Sequence, residues 1–305
     1  MGSRYRQVES DTGAPMPWPT IDPTGVTASV LGQELTQLSP ANAYAFGQGM
    51  MQAYTIAMSP VLTSIQLLQD SAFNTSELMS RLLGEAIGRE VASLSVSGTG
   101  SGQPLGIITA LNTKGALSGA SGGYYQLTAA TSVKTFAASN PTELAGNILS
   151  PTTLIGMVQG VDPAYYPTCA WHFNSAQAWN LRTVVDGQGR PLLNFANGFD
   201  AEDMTRGGGE PASDSEVTSP VARLFGFPVV IDNSIPNLTA STTGGPVFGS
   251  MHHAMVMRTV RGGTRVMRLG ERYADYLAVG WLGWIRADIR SNDLRGAVTV
   301  RAAAT

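Results

Sequence analysis

An α+β fold is what this 305-residue chain predicts, and three observations carry the prediction. The stretch from Asn74 to Ser97 has the apolar spacing of one long amphipathic helix. The middle of the chain alternates helical with strand-like segments. Both ends hold aromatic and β-branched runs that read as strands, the last of them returning against the long helix.

Residues 1–26 carry Pro15, Pro17, Pro19 and Pro23 among polar residues, with Trp18 and Ile21 the only sizeable apolar groups near the middle. Such a segment predicts an extended arm without a core of its own. From Val26 to Pro60 the pattern turns strand-like at Val30-Leu31, Tyr44, Phe46, Met50-Met51 and Tyr54 to Met58. Two strands with polar residues between them predict a hairpin, which is unstable alone and needs a partner surface.

In the helix, Met79, Leu82, Leu83, Ala86, Ile87, Val91 and Leu94 form the apolar stripe, while Ser80, Arg81, Glu85, Arg89 and Glu90 face away. Asn74 followed by Glu77 has the form of a capping box, which starts the helix near Thr75. Gly98, Gly100, Gly102 and Pro104 end it, because glycine adopts left-handed conformations and proline cannot continue a helix. Its span is about 30 Å, enough to bridge parts of a domain. The glycines are not read as a phosphate loop. In such loops the glycines follow a strand and open a helix, whereas here the helix precedes them, and no Gly-Lys-Ser/Thr is present.

Beyond the helix, Ile107 to Tyr125 reads as loose and glycine-rich, with Leu127 to Ala130 as a short strand and Asn140-Pro141-Thr142 as a boundary. Pro151 to Val161 predicts a helix, Cys169 to Phe173 a strand, Ser175 to Val185 a second helix and Phe227 to Ile231 a buried strand. The polar segment Gly198 to Ser219 predicts a mobile surface loop. His252 to Val260 and Thr264 to Leu269 flank Gly262-Gly263, a dipeptide suited to a tight hairpin. Apolar residues through Leu277, Val279, Trp281, Trp284, Ile285 and Ile289 predict the strands that close the chain.

Charged residues make up only 13% of the chain, so much of its surface is expected to meet protein rather than water. A formal net charge of -3 gives no general attraction to nucleic acid or anionic membrane. No apolar run is long enough to cross a bilayer, and no basic start followed by a hydrophobic segment marks an export signal. The lone Cys169 rules out an internal disulfide and a cysteine-built zinc cluster. Catalytic candidates are few. His172 sits in a strand pattern beside Trp171, as a structural histidine does, and His252-His253, if on a strand, point to opposite faces and suit one metal poorly. Gly-x-Ser-x-Gly and His-Glu-x-x-His are absent. Asp200, Glu202 and Asp203 read as a solvated charge cluster. A Ser/His hydrolase would require His172 or His253 within hydrogen-bond reach of a nucleophile. No catalytic residue, metal or cofactor is expected.

Of the 19 basic residues 17 are Arg, and Arg258, Arg261, Arg265, Arg268 and Arg272 gather around one predicted hairpin. The rigid guanidinium fork suits protein interfaces, and the stretch lacks stacking aromatics for nucleic acid before Tyr273.

Three segments carry a family resemblance by their order and spacing. They are Gln69-Asp70-Ser71-Ala72 with the helix and Gly98 to Ile107, then Trp179 to Leu192, then Leu224 to Asp232. With Arg286-Ala-Asp288, the chain from about Gly47 onward resembles the tailed-bacteriophage major capsid proteins of the Hong Kong type. The resemblance implies an N-terminal arm (1–26), an extended loop (27–60), a peripheral domain (61–140, spine helix about 75–97), an axial domain (141–259) and a second peripheral part (260–305). It implies a structural protein that self-assembles through pentamers and hexamers into an icosahedral shell around double-stranded DNA, in the virion after assembly in a host cytoplasm. Expected partners are other copies of the chain, a portal, separate scaffolding or decoration proteins and DNA bound without sequence preference, and no membrane. Trp18, Tyr44, Phe46, Arg258, Arg265, Arg268 and Arg272 are the expected inter-subunit contacts, the arginines around local three-fold points. Some members lock their shells by a Lys-Asn isopeptide bond. Here no Lys precedes Lys114, and the acceptor region reads Ala274-Asp275-Tyr276, so a non-covalent shell is expected. Many relatives begin with a longer scaffolding segment, so a separate scaffold, none, or prior processing is expected. An encapsulin-like nanocompartment shell is the alternative with the same fold, and a tail or baseplate protein the alternative without a closed shell.

Overall fold

Two six-stranded sheets and one two-stranded ribbon hold the strands of the computed structural model, which describes residues 4–22, 45–71, 74–115, 122–126, 151–181, 223–237 and 244–301. In chain order, β1 (Arg6–Ser10) precedes the ribbon of β2 (Met16–Asp22) and β3 (Ala45–Met51). β4 (Tyr54–Ala57), β5 (Val61–Ser64) and α1 (Ile65–Asp70) lead to the long helix α2 (Thr75–Ser97), then to α3 (Ile107–Lys114) and β6 (Gly123–Gln126). The middle holds α4 (Pro151–Gln159), β7 (Ala170–Phe173), α5 (Ser175–Asn180), β8 (Arg223–Leu224), β9 (Phe227–Ile231) and β10 (Val247–Gly249). The chain closes with α6 (Met251–Ala254), β11 (Met255–Val260), β12 (Arg265–Leu269), β13 (Ala278–Ser291) and β14 (Ala297–Arg301).

The first sheet is organised on β13. Trp284 pairs with Arg265 on one side and Ala57 on the other, and Ala287 with Thr259 and Tyr54. Therefore β11 and β12 run end to end along one edge of β13, and β4 and β5 along the other. The Gly262-Gly263 turn, with Gly262 at φ 66, offsets one edge strand and does not reverse it, so the predicted hairpin of β11 and β12 is not formed. β1 pairs parallel with β11, Arg6 opposite Val256. The first residues of the predicted arm thus belong to this sheet: Tyr5 is buried and donates its hydroxyl to the Ser95 carbonyl at 2.7 Å.

Helix α2 keeps its predicted bounds, with Asn74 accepting from the Glu77 amide at 3.3 Å. It lies on β13 through Leu83 and Ile87, and the strand has Gly283 beneath them, where a Cβ would come within 2.9 Å of Ile87 Cδ1. Leu82, placed in the stripe by its spacing, is exposed instead, because one flat sheet covers only a narrow face of the helix. The helix ends at Gly98, whose φ of -56 is ordinary. That position is glycine because a Cβ would stand 2.2 Å from the Pro104 carbonyl oxygen, while Gly100 and Gly102 supply the left-handed turn.

The segment after the turn is not loose. Ile107, Ile108, Ala110 and Leu111 are buried on α3, a helix hidden in the sequence by its Thr, Asn and Gly neighbours. They join Val96, Val247, Met255, Met257, Ile289 and Ala297 in a core between the two sheets. The second sheet, ordered β6-β14-β10-β7-β9-β8, packs its own core around Trp171, Phe173 and Phe248, with the Trp171 and Phe248 rings 4.4 Å apart and α4 over them.

Sheet membership does not follow chain order. The ribbon joins residues from the arm and from the loop, so the hairpin pairs Met16–Asp22 with Ala45–Met51 and does not lie wholly within 27–60. β11 belongs to the first sheet, while β6 and β14 belong to the second. Predicted features at Val30-Leu31, Leu127 to Ala130, Asn140 to Thr142, Arg182 to Leu192 and Gly198 to Ser219, including Asp200, Glu202 and Asp203, lie outside the described residues.

Candidate inter-subunit surfaces

β12 has β13 as its only partner among the described residues, so its outer edge offers backbone groups to another chain. Arg265, Val266, Met267 and Arg268 are all exposed, and Arg265 Nε donates 3.1 Å to the Gly262 carbonyl at the turn before it. The chain then makes a 3-10 turn at Ala274–Tyr276 that leaves Tyr276 77% and Leu277 66% exposed. Leu277 holds φ 49, a costly conformation for a branched side chain, and its carbonyl accepts the Ile65 amide at 2.9 Å. Exposed Leu62 and Leu67 flank that bond on β5 and α1. Arg272 stands nearby with its guanidinium 5.5 Å from the Tyr273 ring. One end of the first sheet is therefore apolar, rimmed by guanidinium groups and open to a partner.

Other predicted contacts lie elsewhere. Arg258 is 1% exposed, and its whole guanidinium is bonded within the chain. It lies on β11, between β1 and β13, where any side chain on the covered face is enclosed. Trp18 is half-buried against its own chain, its indole donating 3.0 Å to Asn292 Oδ1 with the Arg6 guanidinium 5.4 Å over the ring. Phe46 stands opposite Ile21 in the ribbon, and Tyr44 lies outside the described residues.

Other large apolar side chains are exposed where the sequence reads as buried. Trp179, Phe225, Ile231 and Ile155 are exposed on the second sheet and its helices. Phe225 at φ 53 and Gly226 at φ 83 form the two-residue turn between β8 and β9, so an aromatic ring sits at a hairpin tip. Leu-Phe-Gly-Phe hints at this turn by its glycine, yet the surrounding apolar run reads as buried strand.

His252 and His253 lie on the helical turn α6, not on a strand. His253 Nδ1 is 2.8 Å from Ser250 Oγ, the nucleophile distance a hydrolase would need. Ser250 is nevertheless fully buried, and its Oγ also accepts from Thr168 at 2.7 Å, which makes the trio a structural knot where the two sheets join. In the same junction Tyr165 donates 2.5 Å to Asp293 Oδ2 and Arg295 clasps Asp293 at 2.8 Å and 3.0 Å. These bonds outweigh burial and hold the Asp293 carboxyl below the usual range. Burial, with the hydrogen bond to Asp293, pushes Tyr165 up to about 12. His172 is wholly buried, and no hydrogen-bond partner reaches its ring nitrogens among the described residues. No group of three metal-ligating side chains occurs among the described residues. The glycine turn does open a helix, contrary to the order assumed from sequence, but it holds itself closed: the Gly100 amide bonds to the Pro104 carbonyl and the Gly106 amide to the Gly98 carbonyl. Ile107 and Ile108, the first residues of α3, are buried in the core.

An open sheet edge and large exposed apolar side chains on both sheets are features of a subunit that meets other protein. The profile of the Phage capsid family matches residues 2–299. The chain belongs to that family. This capsid protein is similar in fold to the capsid of a native GTA particle, with a TM-score of 0.71 at 21% identity over 99% of this chain and 89% of that one. It is likewise similar to the capsid of an empty GTA particle, at 0.70 and 20% with the same coverage, and to a structure from Mycobacterium phage Cain, at 0.62 and 12%, covering 99% and 90%. No curated protein sequence matches it. It is a structural major capsid protein with the Hong Kong-type fold, which self-associates into the shell of the virion.

Proposed function

We propose that this major capsid protein forms pentamers and hexamers that close into an icosahedral shell around double-stranded DNA, assembling in the host cytoplasm. The observation that carries the reading is the exposure of large apolar side chains on both sheets, Met267, Tyr276 and Leu277 beside the first and Trp179, Phe225 and Ile231 beside the second. Apolar groups exposed at unlike places on one chain suit head-to-tail contacts that close into rings and a second set that joins the rings. Arg265, Arg268 and Arg272 act in the second set around local three-fold points, pairing their forks with neighbouring carboxylates. Phe46 and Trp18 contribute through the ribbon, and Tyr44 is a further contact in this reading. A portal and separate scaffolding or decoration proteins are the expected partners, and DNA is held without sequence preference. The contacts are non-covalent, since no Lys precedes Lys114. Nothing in the molecule favours an encapsulin-like compartment over a phage shell.

Negative-stain microscopy of the purified protein with sedimentation velocity tests the proposal. Closed polyhedral particles that run as single chains on a denaturing gel are the expected result, with rings alone if a scaffold is required. A monomer that stays unassembled at high concentration refutes the proposal, and a covalent ladder refutes its non-covalent part.

A further inference from the structure

The two strands of the ribbon leave the body of the subunit close together, after Ser10 and before Gln52, and one buried side chain holds both roots. Arg258 donates from Nε to Ser10 Oγ at 2.8 Å and from Nη2 to the carbonyls of Thr12 at 2.7 Å and Ala14 at 2.8 Å. From Nη1 it donates to the carbonyls of Met51 at 2.9 Å and Gln52 at 3.3 Å. All five guanidinium hydrogens are thereby used, three toward the outgoing strand and two toward the returning one. On β13, directly across from Arg258, Asp288 is also buried and accepts the Gln52 amide at 2.6 Å. Arg286 completes the seat, packed so closely on Gly13 that a Cβ there would meet its guanidinium.

A core position of this kind is normally apolar, because burying a charge costs several kcal/mol unless every donor is matched. Stability alone does not call for a guanidinium in this place. Its planar fork does what no aliphatic residue can: it fixes two backbone segments from opposite strands at one angle to the sheet. We infer that Arg258 is a positioning residue for assembly, a pin that sets the direction in which the ribbon leaves the subunit and so where it meets a neighbouring copy. This inference rests on the shell-forming reading above, and its test begins on subunits before assembly so that the two can fail separately.

The experiment compares Arg258→Met, Arg258→Lys and, as a control on the exposed edge, Arg268→Met. Amide hydrogen exchange is read on unassembled subunits, followed by microscopy of assembled material. In Arg258→Met the ribbon amides of Trp18 and Gly47 to Met51 are expected to exchange at least about tenfold faster while those of β13 keep their rates, since several charged hydrogen bonds are lost at the roots alone. Arg258→Lys, with three donors and no fork, is expected to fall between, and it carries the test if the Met variant does not fold. Correct closed shells are expected to become scarce or irregular in size, in step with ribbon exchange. Unchanged ribbon exchange, or β13 and ribbon loosening together, overturns the pin. Faster ribbon exchange with normal shells overturns its role in assembly, whereas failure of the unaltered protein to form shells sinks the assembly reading without touching the pin.

Discussion

His172 makes the subunit sensitive to acid by an amount that follows from its place in the sheet. On β7 the alternation of side chains sends Trp171 and Phe173 into one core and His172 to the opposite face, beside Val247 and Val230 on the neighbouring strands. Enclosed there and near the positive charge of Arg4, the imidazole is pulled down from 6.5 to about 3, burial being the larger cause. The folded state therefore holds it neutral, while the unfolded chain takes up a proton below about pH 6.5. Stability is fully present above that pH and is lost as pH falls toward the folded value, at about 1.4 kcal/mol per pH unit for one proton. Between pH 7 and pH 5 the loss amounts to about 2 kcal/mol, a figure that needs only a folded value well under 5. The perturbation is His172→Leu, which removes the titration together with a buried polar ring whose nitrogens have no partner among the described residues. At pH 7 the variant is expected to match or exceed the parent by about 1 kcal/mol, because an unpaired buried polar group is no longer desolvated. The assay is urea unfolding of unassembled subunits at one fixed protein concentration, since association would shift the apparent stability. The gap between variant and parent should widen by about 2 kcal/mol at pH 5. Parallel pH profiles, or a variant far less stable than the parent at pH 7, would refute the reasoning.

The glycines of the helix-ending turn are predicted to differ in a way their spacing hides. At Gly98 a Cβ would meet two backbone oxygens, of Pro104 at 2.2 Å and Leu94 at 2.6 Å, so Gly98→Ala should cost about 3 kcal/mol or more in thermal unfolding. Gly102→Ala has open space and a φ of 69, and should cost only about 1 kcal/mol. At the junction of the sheets, Tyr165→Phe removes the bond to Asp293 and should destabilise the subunit by about 1.5 kcal/mol at neutral pH, at the low end for a charged acceptor because the site is partly solvated. The stability that Asp293 contributes is present above the ordinary carboxylate value and is lost as pH falls through its lowered one. In the Phe variant the lowered value moves back toward the ordinary one, so that loss should be smaller and complete at higher pH, which a series of melts between pH 5 and pH 2 would show. Asp288 has the opposite sign. Burial raises its carboxyl despite the Gln52 and Ile289 amides and Arg290 at 3.5 Å, so its charged form is a cost that disappears as pH falls, and Asp288→Asn should flatten that gain.

What the sequence shows clearly is what is decided within a few residues. The cap at Asn74, the apolar spacing through Ile87 and the turn glycines give α2 its bounds, and the compact apolar run gives β9. What it hides is pairing between distant segments. β2 carries Pro17 and Pro19 and so does not look like a strand, yet in a ribbon with one described neighbour half of its amides need no partner, and proline is tolerated there. The α3 helix has only eight residues, and its burial under both sheets, rather than its propensity, keeps it folded. Tyr276 and Leu277 look like the start of a buried strand, and only the left-handed turn at Leu277 throws both side chains outward.

The arginines show the same limit at the level of the site. Arg258, Arg265 and Arg268 follow one another along a single edge of β13, in a local sequence that marks all three alike. Their fates diverge because β1, some 250 positions earlier in the chain, covers β11 and stops short of β12. Where the sheet is covered, the guanidinium must find every acceptor inside its own subunit, and it does so at the roots of the ribbon. Where the sheet ends, the same group keeps donors free for a neighbour. A cluster of arginines in sequence therefore divides, once folded, into one enclosed within the subunit and others left on its exposed edge.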